Sequence, residues 1–251
     1  MTRLKAIVLA AGKGTRLHSE DSGLPKVLHS ACGRPLLHYV LDSLSFLPRE
    51  DIALVVGYRA QDVMRQAGEG YTYCLQSEQL GTGHAANAAA QALHGYEGPV
   101  LVCYGDMPLF KRETYRQLFE VQRRDGNDCT VLTGVTELPL AYGRVIRNAQ
   151  GNFQRVVEER DCTPEQKKIR ELNVGVYVFD APLLFKTLGL LRNDNRQREY
   201  YLTDVPGLLL AQGHKVGICT TRDGSEILGV NTTEDLALAE RYLAQRGAAK
   251  A

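Results

Sequence analysis

The sequence predicts an α/β fold: a mostly parallel central sheet with helices on both faces and a small additional β region. Three observations carry that reading. Short apolar runs alternate with helix-patterned stretches through the first half of the chain. A glycine-rich loop, "LAAGKGTRL" (Leu9–Leu17), follows directly on the first apolar run, and open α/β sheets bind their ligands at such strand ends. From about residue 128 onward the strand-like runs crowd together, which adds β structure to the alternating pattern.

The elements follow in order. Lys5–Ala10 reads as a buried strand. Pro35–Leu47 has helical spacing, with Leu36, Leu37, Val40, Leu41 and Leu44 on one side. Ile52–Val56 is a second strand, ended by Gly57, and Tyr71–Leu75 a weaker third. Gly83–Leu93 is alanine-rich and helical, Val100–Tyr104 is another buried strand, and Thr114–Arg124 is a helix. The denser part holds strands at Cys129–Val135, Arg144–Arg147, Phe153–Glu158 and Val174–Phe179. Helices return at Pro182–Leu191 and Leu202–Ala211, and a strand at Val216–Thr220 precedes a last helix, Thr233–Gln245. With no internal repeat, low-complexity tract or linker, residues 1–251 read as one domain.

Composition excludes several classes of function. The 251 residues carry a net charge of +1 and no long run of one sign, so neither nucleic acid nor an anionic membrane is an expected partner. No apolar stretch approaches the roughly 18–20 residues of a membrane helix, and Met1–Lys5 leads into a strand with no signal-peptide pattern. The six cysteines are far apart, without metal-ligand or CxxC spacing. Free thiols in a reducing cytoplasm are the expectation.

The opening loop fails two templates. Gly12-Lys13-Gly14-Thr15-Arg16-Leu17 lacks the third glycine of the dinucleotide fingerprint, and Gly14 stands where a Walker A loop needs Ser or Thr. The physics of an anion loop remains, because glycines at a strand end let backbone N–H groups approach phosphate closely. Arg16 and Lys26 add positive charge nearby. A tight strand-to-helix turn with two solvated basic residues is the duller reading. Gln76–His84 is a second polar, glycine-rich loop before a helix, suited to reading a base edge. At Tyr104-Gly105-Asp106-Met107-Pro108 a buried strand ends in an acid. Asp106 reads as a turn residue or, beside a phosphate loop, as an oxygen ligand for Mg²⁺. Asn231 reads locally as a cap on the last helix, and Glu158–Asp161 as a solvated charge run.

"LAAGKGTRL…LPKVLH", "LQSEQLGTGHA", "CYGDMPL", "YGRV", "VVEERD", "LNVGVYVF", "EYYLTD" and "LGVNTT" stand here in the order found in bacterial sugar-1-phosphate nucleotidyltransferases. The chain most resembles the N-terminal uridylyltransferase domain of the bifunctional enzymes that make UDP-N-acetylglucosamine, over roughly residues 4–245. The resemblance implies a Rossmann-like nucleotidyltransferase fold and a cytoplasmic, Mg²⁺-dependent transferase of cell wall precursor biosynthesis. Its reaction would join UTP and N-acetylglucosamine 1-phosphate and release pyrophosphate. It also implies a nucleotide-binding part at about 1–128, a sugar-binding part at about 129–231 and a C-terminal helix at about 233–245.

Motif by motif, Leu9, Ala10, Ala11 and Gly12 resemble the nucleotide-binding turn, and Gly14 and Thr15 its triphosphate side. Arg16 and Lys26 stand as the catalytic cations. Gln76, Gly81 and Thr82 resemble the uracil readers. Tyr104, Gly143, Glu158 and Asn173 resemble sugar contacts, and Asp106 and Asn231 a metal pair. Because a sugar phosphate is itself the nucleophile, no Ser, Cys or His nucleophile is needed, and direct in-line attack is expected.

Departures from the family concern the sugar more than the nucleotide. The segment His18–Gly23 is longer and more acidic than the family's, and Val174 stands where the family has Thr. No hexapeptide repeat is present, so no left-handed β-helix acetyltransferase domain is expected. Two alternatives remain open at this point: a uridylyltransferase for another sugar 1-phosphate, such as glucose 1-phosphate, or a non-catalytic nucleotide-sugar sensor.

Overall fold

A computed structural model describes residues 3–14, 17, 23–136 and 140–248. Its framework is a sheet in which β1 (Lys5–Ala10) pairs in parallel with β4 (Ile52–Val56) on one side and β6 (Pro99–Tyr104) on the other. β5 (Thr72–Leu75) extends the parallel run beyond β4. On the far side β10 (Glu171–Asp180) runs antiparallel to both β6 and β7 (Cys129–Val135), and β11 (Val216–Thr220) pairs in parallel with β7. The order is β11-β7-β10-β6-β1-β4-β5. A hairpin of β8 (Arg144–Arg147) and β9 (Phe153–Val157) branches from β10 through Leu172 and Arg144. This branch is the additional β region expected from the crowded runs. A two-stranded ribbon, β2 (Ser30–Ala31) with β3 (Arg34–Pro35), stands apart.

Coverage of both faces explains why β1 is apolar and buried from Ala6 to Ala10, after Lys5 at its start. Ala6, Val8 and Ala10 face one layer of the core, while Ile7, Leu9 and Ala11 face the other. The first layer is closed by α1 (Leu36–Ser43), α2 (Ala60–Ala67) and α4 (Arg112–Asp125), through Leu37, Val40, Val63, Tyr115 and Leu118. The second is closed by α3 (Thr82–Asn87), α5 (Ala181–Leu188) and α6 (Val205–Ala211), through Ala85, Leu184, Val205 and Leu209. Fully burying one Val, Leu or Ile side chain contributes about 1.5–3 kcal/mol, so this double-sided core holds the site's strand ends rigid. A third cluster seats α7 (Thr233–Ala248) against Leu36 and Leu109 through Ala239.

Capping explains two of the helix starts. The Asp180 carboxylate accepts the Leu183 N–H at 3.2 Å, with Pro182 in the first turn of α5. At α7, Asp235 N–H donates to the Thr232 hydroxyl at 3.1 Å while the Asp235 carboxylate accepts the Thr232 N–H at 2.9 Å. This is a reciprocal capping pair, so Thr232, not Asn231, caps the final helix.

Four differences from the sequence reading concern where helices end, one of them at α5, which stops at Leu188 rather than Leu191. The first helix stops at Ser43 rather than Leu47. The alanine-rich helix stops at Asn87, and turns follow to Gly95. The last helix continues beyond Gln245. α2 has no counterpart in the reading, because Val63 is its one buried residue and, apart from the partly buried Met64, its sequence is polar or small. Among the described residues no helix is long and apolar enough to cross a membrane.

Candidate active site

A cleft of about 350 Å³ opens where β1, β5 and β6 end. The turn after β1 contributes Ala11 and Gly12, the residue after β5 is Gln76, and the turn after β6 carries Asp106 and Met107. Because β10 runs the opposite way, its beginning reaches the same edge and supplies Asn173, Val174 and Gly175. Gly175 has φ +74°, and a Cβ there would stand 2.4 Å from a Tyr104 ring carbon. Glycine is what lets β10 pass this close to the cleft wall.

At the centre lie Lys26, Asp106 and Asn231. The Lys26 ammonium ion-pairs with the Asp106 carboxylate and donates to the Asn231 carboxamide oxygen at 2.9 Å. Their frame is backbone: Gly105 N–H donates to the Leu9 carbonyl at 2.9 Å, and Val230 N–H to the Asp106 carbonyl at 3.0 Å. The Lys26 and Asp106 side chains are only 17% and 15% exposed, so their charges act in a partly desolvated setting. A carboxylate oxygen and an amide oxygen converging on one cation form a donor set that suits Mg²⁺, a hard ion that keeps several waters and binds phosphates alongside one or two protein oxygens. Among the described residues, no group of three or more His, Cys, Asp or Glu gathers to form a self-sufficient metal cage. A divalent ion held here would take its remaining ligands from water and substrate.

One wall is the loop between β5 and α3. Gln76 is 4% exposed; its Nε2 donates to the Gly81 carbonyl at 3.2 Å and lies 3.1 Å from His84 Nδ1. Gly81 takes φ +110°, a conformation that side chains rarely adopt. The loop is strapped to residues 200–202: Gly83 N–H donates to the Tyr200 carbonyl at 2.8 Å, Tyr200 N–H to the Leu80 carbonyl at 2.8 Å, and Leu202 N–H to the Thr82 hydroxyl at 3.0 Å. A polar slot edged by a fixed amide can discriminate a base edge.

The opposite wall is polar and partly anionic. Glu158 accepts the Thr203 hydroxyl at 2.8 Å. Burial raises the Glu158 carboxyl above its ordinary range, partly offset by that hydrogen bond, with Asp204, Asp161 and Glu199 adding repulsion. Asn173 donates from Nδ2 to the Tyr177 hydroxyl at 2.7 Å, and its buried Oδ1 has no hydrogen-bond partner among the described residues. A buried acceptor without a donor is costly, and a ligand hydroxyl or amide would satisfy it. Burial also lifts Tyr104 well above the usual phenol range, so its hydroxyl remains a neutral donor.

The structure brings most of the expected residues to this one cleft: Leu9, Ala11, Gly12, Lys26, Gln76, Gly81, Thr82, Tyr104, Asp106, Gly143, Glu158, Asn173 and Asn231 all line it. Ala10 does not; as the last residue of β1 its side chain points into the core at 1% exposure. Gly14 lies off the cleft, accepting the Leu17 N–H at its carbonyl at 3.0 Å. Thr15 and Arg16 fall outside the described residues. Glu158 turns inward, while its neighbour Glu159 pairs with Lys167 at 3.0 Å, so the charge run splits between two environments. Gln79, Tyr142, Glu199, Thr203 and Gly229 line the cleft as well, beyond the residues to which the sequence pointed. Glu199 and Thr203 stand within the motif "EYYLTD", which is the signal that could have found them.

Residues 6–169 match the MobA-like NTP transferase domain model. The chain is 42% identical over 246 residues to bifunctional protein GlmU of Brevibacillus brevis, covering 98% of this chain and 53% of that protein. It is 45% identical over 240 residues to bifunctional protein GlmU of Lactobacillus delbrueckii subsp. bulgaricus, covering 96% and 51%. The chain thus spans about half the length of the curated relatives it matches. A solved Bacillus anthracis structure assigned as a glucose-1-phosphate thymidylyltransferase superposes with TM-score 0.75 over 96% of this chain and 95% of that one, at 19% identity. At that identity the likeness speaks to the fold, which is Rossmann-like.

Proposed function

From the premise that this chain belongs to the MobA-like NTP transferase domain family, we propose that it transfers a uridylyl group from UTP to N-acetylglucosamine 1-phosphate, releasing pyrophosphate. The observation that carries the reading is the meeting of Lys26, Asp106 and Asn231 in one cleft with the polar loop of Gln76 and Gly81 and with the polar groups of Glu158 and Asn173. The identity to bifunctional GlmU proteins across almost the whole chain supports the same choice of substrates. In this reading the nucleotide side reaches to about residue 128 and the sugar side spans about 129–231.

The chain's own groups divide the work. Ala11 and Gly12 bring backbone close to the triphosphate, and Gln76, Gly81 and Thr82 hold the uracil edge. Glu158 and Asn173 accept sugar hydroxyls or the acetamide N–H, and Tyr104 closes the pocket beneath them. A sugar-phosphate oxygen attacks the α-phosphorus, a new P–O bond forms, and the bond to the β-phosphate oxygen breaks, its electron pair leaving with pyrophosphate. No proton has to be taken from the nucleophile, so positioning and charge neutralisation suffice. Lys26 leaves Asp106 and Asn231 to meet the phosphates, assisted by Arg16. Mg²⁺ held by Asp106 and Asn231 would supply further neutralisation of phosphate charge.

The test is direct. The protein is incubated with UTP, N-acetylglucosamine 1-phosphate and Mg²⁺, and the products are resolved by mass spectrometry. UDP-N-acetylglucosamine that forms only with both substrates, and stops on chelation, supports the proposal. UTP binding without product refutes it in favour of a sensor.

A further inference from the structure

Tyr142 sits in the loop that enters β8, next to Gly143 on the hydroxyl-reading wall. That loop is pinned to the wall: the Gly143 carbonyl accepts the Asn173 N–H at 2.8 Å, and Arg144 donates to the Tyr142 carbonyl. The Tyr142 hydroxyl oxygen reaches the segment before α7 and accepts the Gly229 N–H at 2.6 Å. Gly229 in turn offers its carbonyl to Asn231 Nδ2 at 3.4 Å, with Asn231 Oδ1 facing the Lys26 ammonium. One hydrogen-bonded chain therefore runs from the sugar wall, through a phenol, to the amide whose oxygen faces the central cation.

We infer that Tyr142 is a positioning residue: its hydroxyl fixes Gly229 and thereby aims the Asn231 oxygen at the cation site beside Asp106. The inference rests on the proposed metal role of Asp106 and Asn231 and adds the residue that orients one of them. Glycine is the reason such a strut is needed. Gly229 has wide backbone freedom; the Val230 N–H bond to the Asp106 carbonyl holds the peptide that carries the Gly229 carbonyl, and the Tyr142 hydroxyl holds the peptide before it, so losing the hydroxyl leaves that carbonyl, and the Asn231 amide that meets it, with one hold where there were two. Glycine is also the reason the strut fits, because a Cβ at Gly229 would lie 2.8 Å from the Tyr142 hydroxyl. Burial raises the Tyr142 phenol far above its ordinary range, opposed by the Gly229 hydrogen bond.

The test measures Mn²⁺ binding to the nucleotide-free protein by water-proton relaxation, with no turnover involved. Four proteins are compared with wild type: Tyr142→Phe, Gly229→Ala, the double variant, and Asp106→Ala. Tyr142→Phe keeps the ring and removes only the oxygen. It is expected to weaken Asp106-dependent Mn²⁺ binding about tenfold, the scale of one lost hydrogen bond at a desolvated site, with the thermal midpoint little changed. Gly229→Ala pushes the same hydroxyl away and should weaken binding similarly. The double variant should be no worse than the stronger single one, because both act on one contact. Wild-type affinity in Tyr142→Phe, or additive losses in the double variant, would overturn the inference while leaving the metal reading intact. Binding that Asp106→Ala does not diminish would remove the metal reading itself, and the inference with it.

Discussion

Gly175→Ala tests how the cleft wall that the proposal assigns to the sugar is built. In the wild type Gly175 takes φ +74°, and an added Cβ would stand 2.4 Å from Tyr104 Cε2 and 2.9 Å from Cδ2. Two penalties follow. The left-handed backbone costs an alanine about 1–2 kcal/mol, and forcing a methyl into a packed wall costs about 1–3 kcal/mol more. The Tyr104 ring yields by moving into the cleft it lines, so loss of stability and loss of sugar binding should appear together. Gly151→Ala is the control: its φ is +81°, yet nothing lies within 4 Å of the point its Cβ would occupy, so it carries the backbone penalty alone. Equilibrium urea unfolding should then place Gly175→Ala about 2–5 kcal/mol below wild type and Gly151→Ala about 1–2 kcal/mol below. Thermal midpoints in a chain of this size fall about 2–4 °C per kcal/mol. Steady-state kinetics should show the sugar-phosphate KM rising in Gly175→Ala and unchanged in Gly151→Ala. Equal destabilisation by the two substitutions would refute the claim that β10 needs a glycine to pass Tyr104.

Asp106→Ala should nearly abolish turnover while leaving the unfolding midpoint close to wild type, as followed by pyrophosphate release and circular dichroism; retained activity would remove Asp106 from the metal pair. Lys26→Ala should cut kcat by roughly a hundredfold or more, the scale of losing one charge stabiliser in a desolvated site, and an unchanged kcat would leave the lysine without a role at the phosphates. Gln76→Ala should erode the preference for UTP over CTP, measured as a ratio of kcat/KM, and an intact ratio would refute its part in reading the base. Burial, with repulsion from Asp161 and Asp194, raises the Asp204 carboxyl to about 6 from its ordinary 3.8. A raised folded-state pKa means that the folded protein binds this proton more tightly than the unfolded chain, so stability falls as pH rises from about 4 through 6. Asp204→Asn should therefore raise the thermal midpoint at pH 8 and lose that advantage by pH 4, and a lower midpoint at pH 8 would contradict the sign.

How far the sequence foretells this molecule depends on whether a residue's role leaves a local mark. β1, β4 and β6 are unbroken apolar runs because both of their faces are covered, and such runs are plain in sequence. The antiparallel course of β10 leaves no mark, since an apolar strand reads the same in either direction, and its start, Glu171–Asn173, sets polar residues on both sides of the buried Leu172. Yet that reversal is what delivers Asn173 to the cleft. Asp106 is visible as an acid ending a buried strand. Asn231 gains meaning only from its motif, and the structure separates it from the capping role that its neighbour Thr232 performs. Tyr142 and Gln79 stand inside quoted motifs, "YGRV" and "LQSEQLGTGHA", but what Tyr142 touches is not legible there, because it meets a backbone N–H of a segment 87 positions away, and Gln79 sits in a loop whose path no periodicity records.

The central claim is the pairing of substrates, and one measurement tests it most directly. Pyrophosphate release is followed with Mg²⁺ over the four nucleoside triphosphates crossed with a panel of sugar 1-phosphates that includes N-acetylglucosamine, glucose and glucosamine. The account predicts a single dominant optimum at UTP with N-acetylglucosamine 1-phosphate. An optimum at another nucleotide, or at UTP with a different sugar, would contradict it.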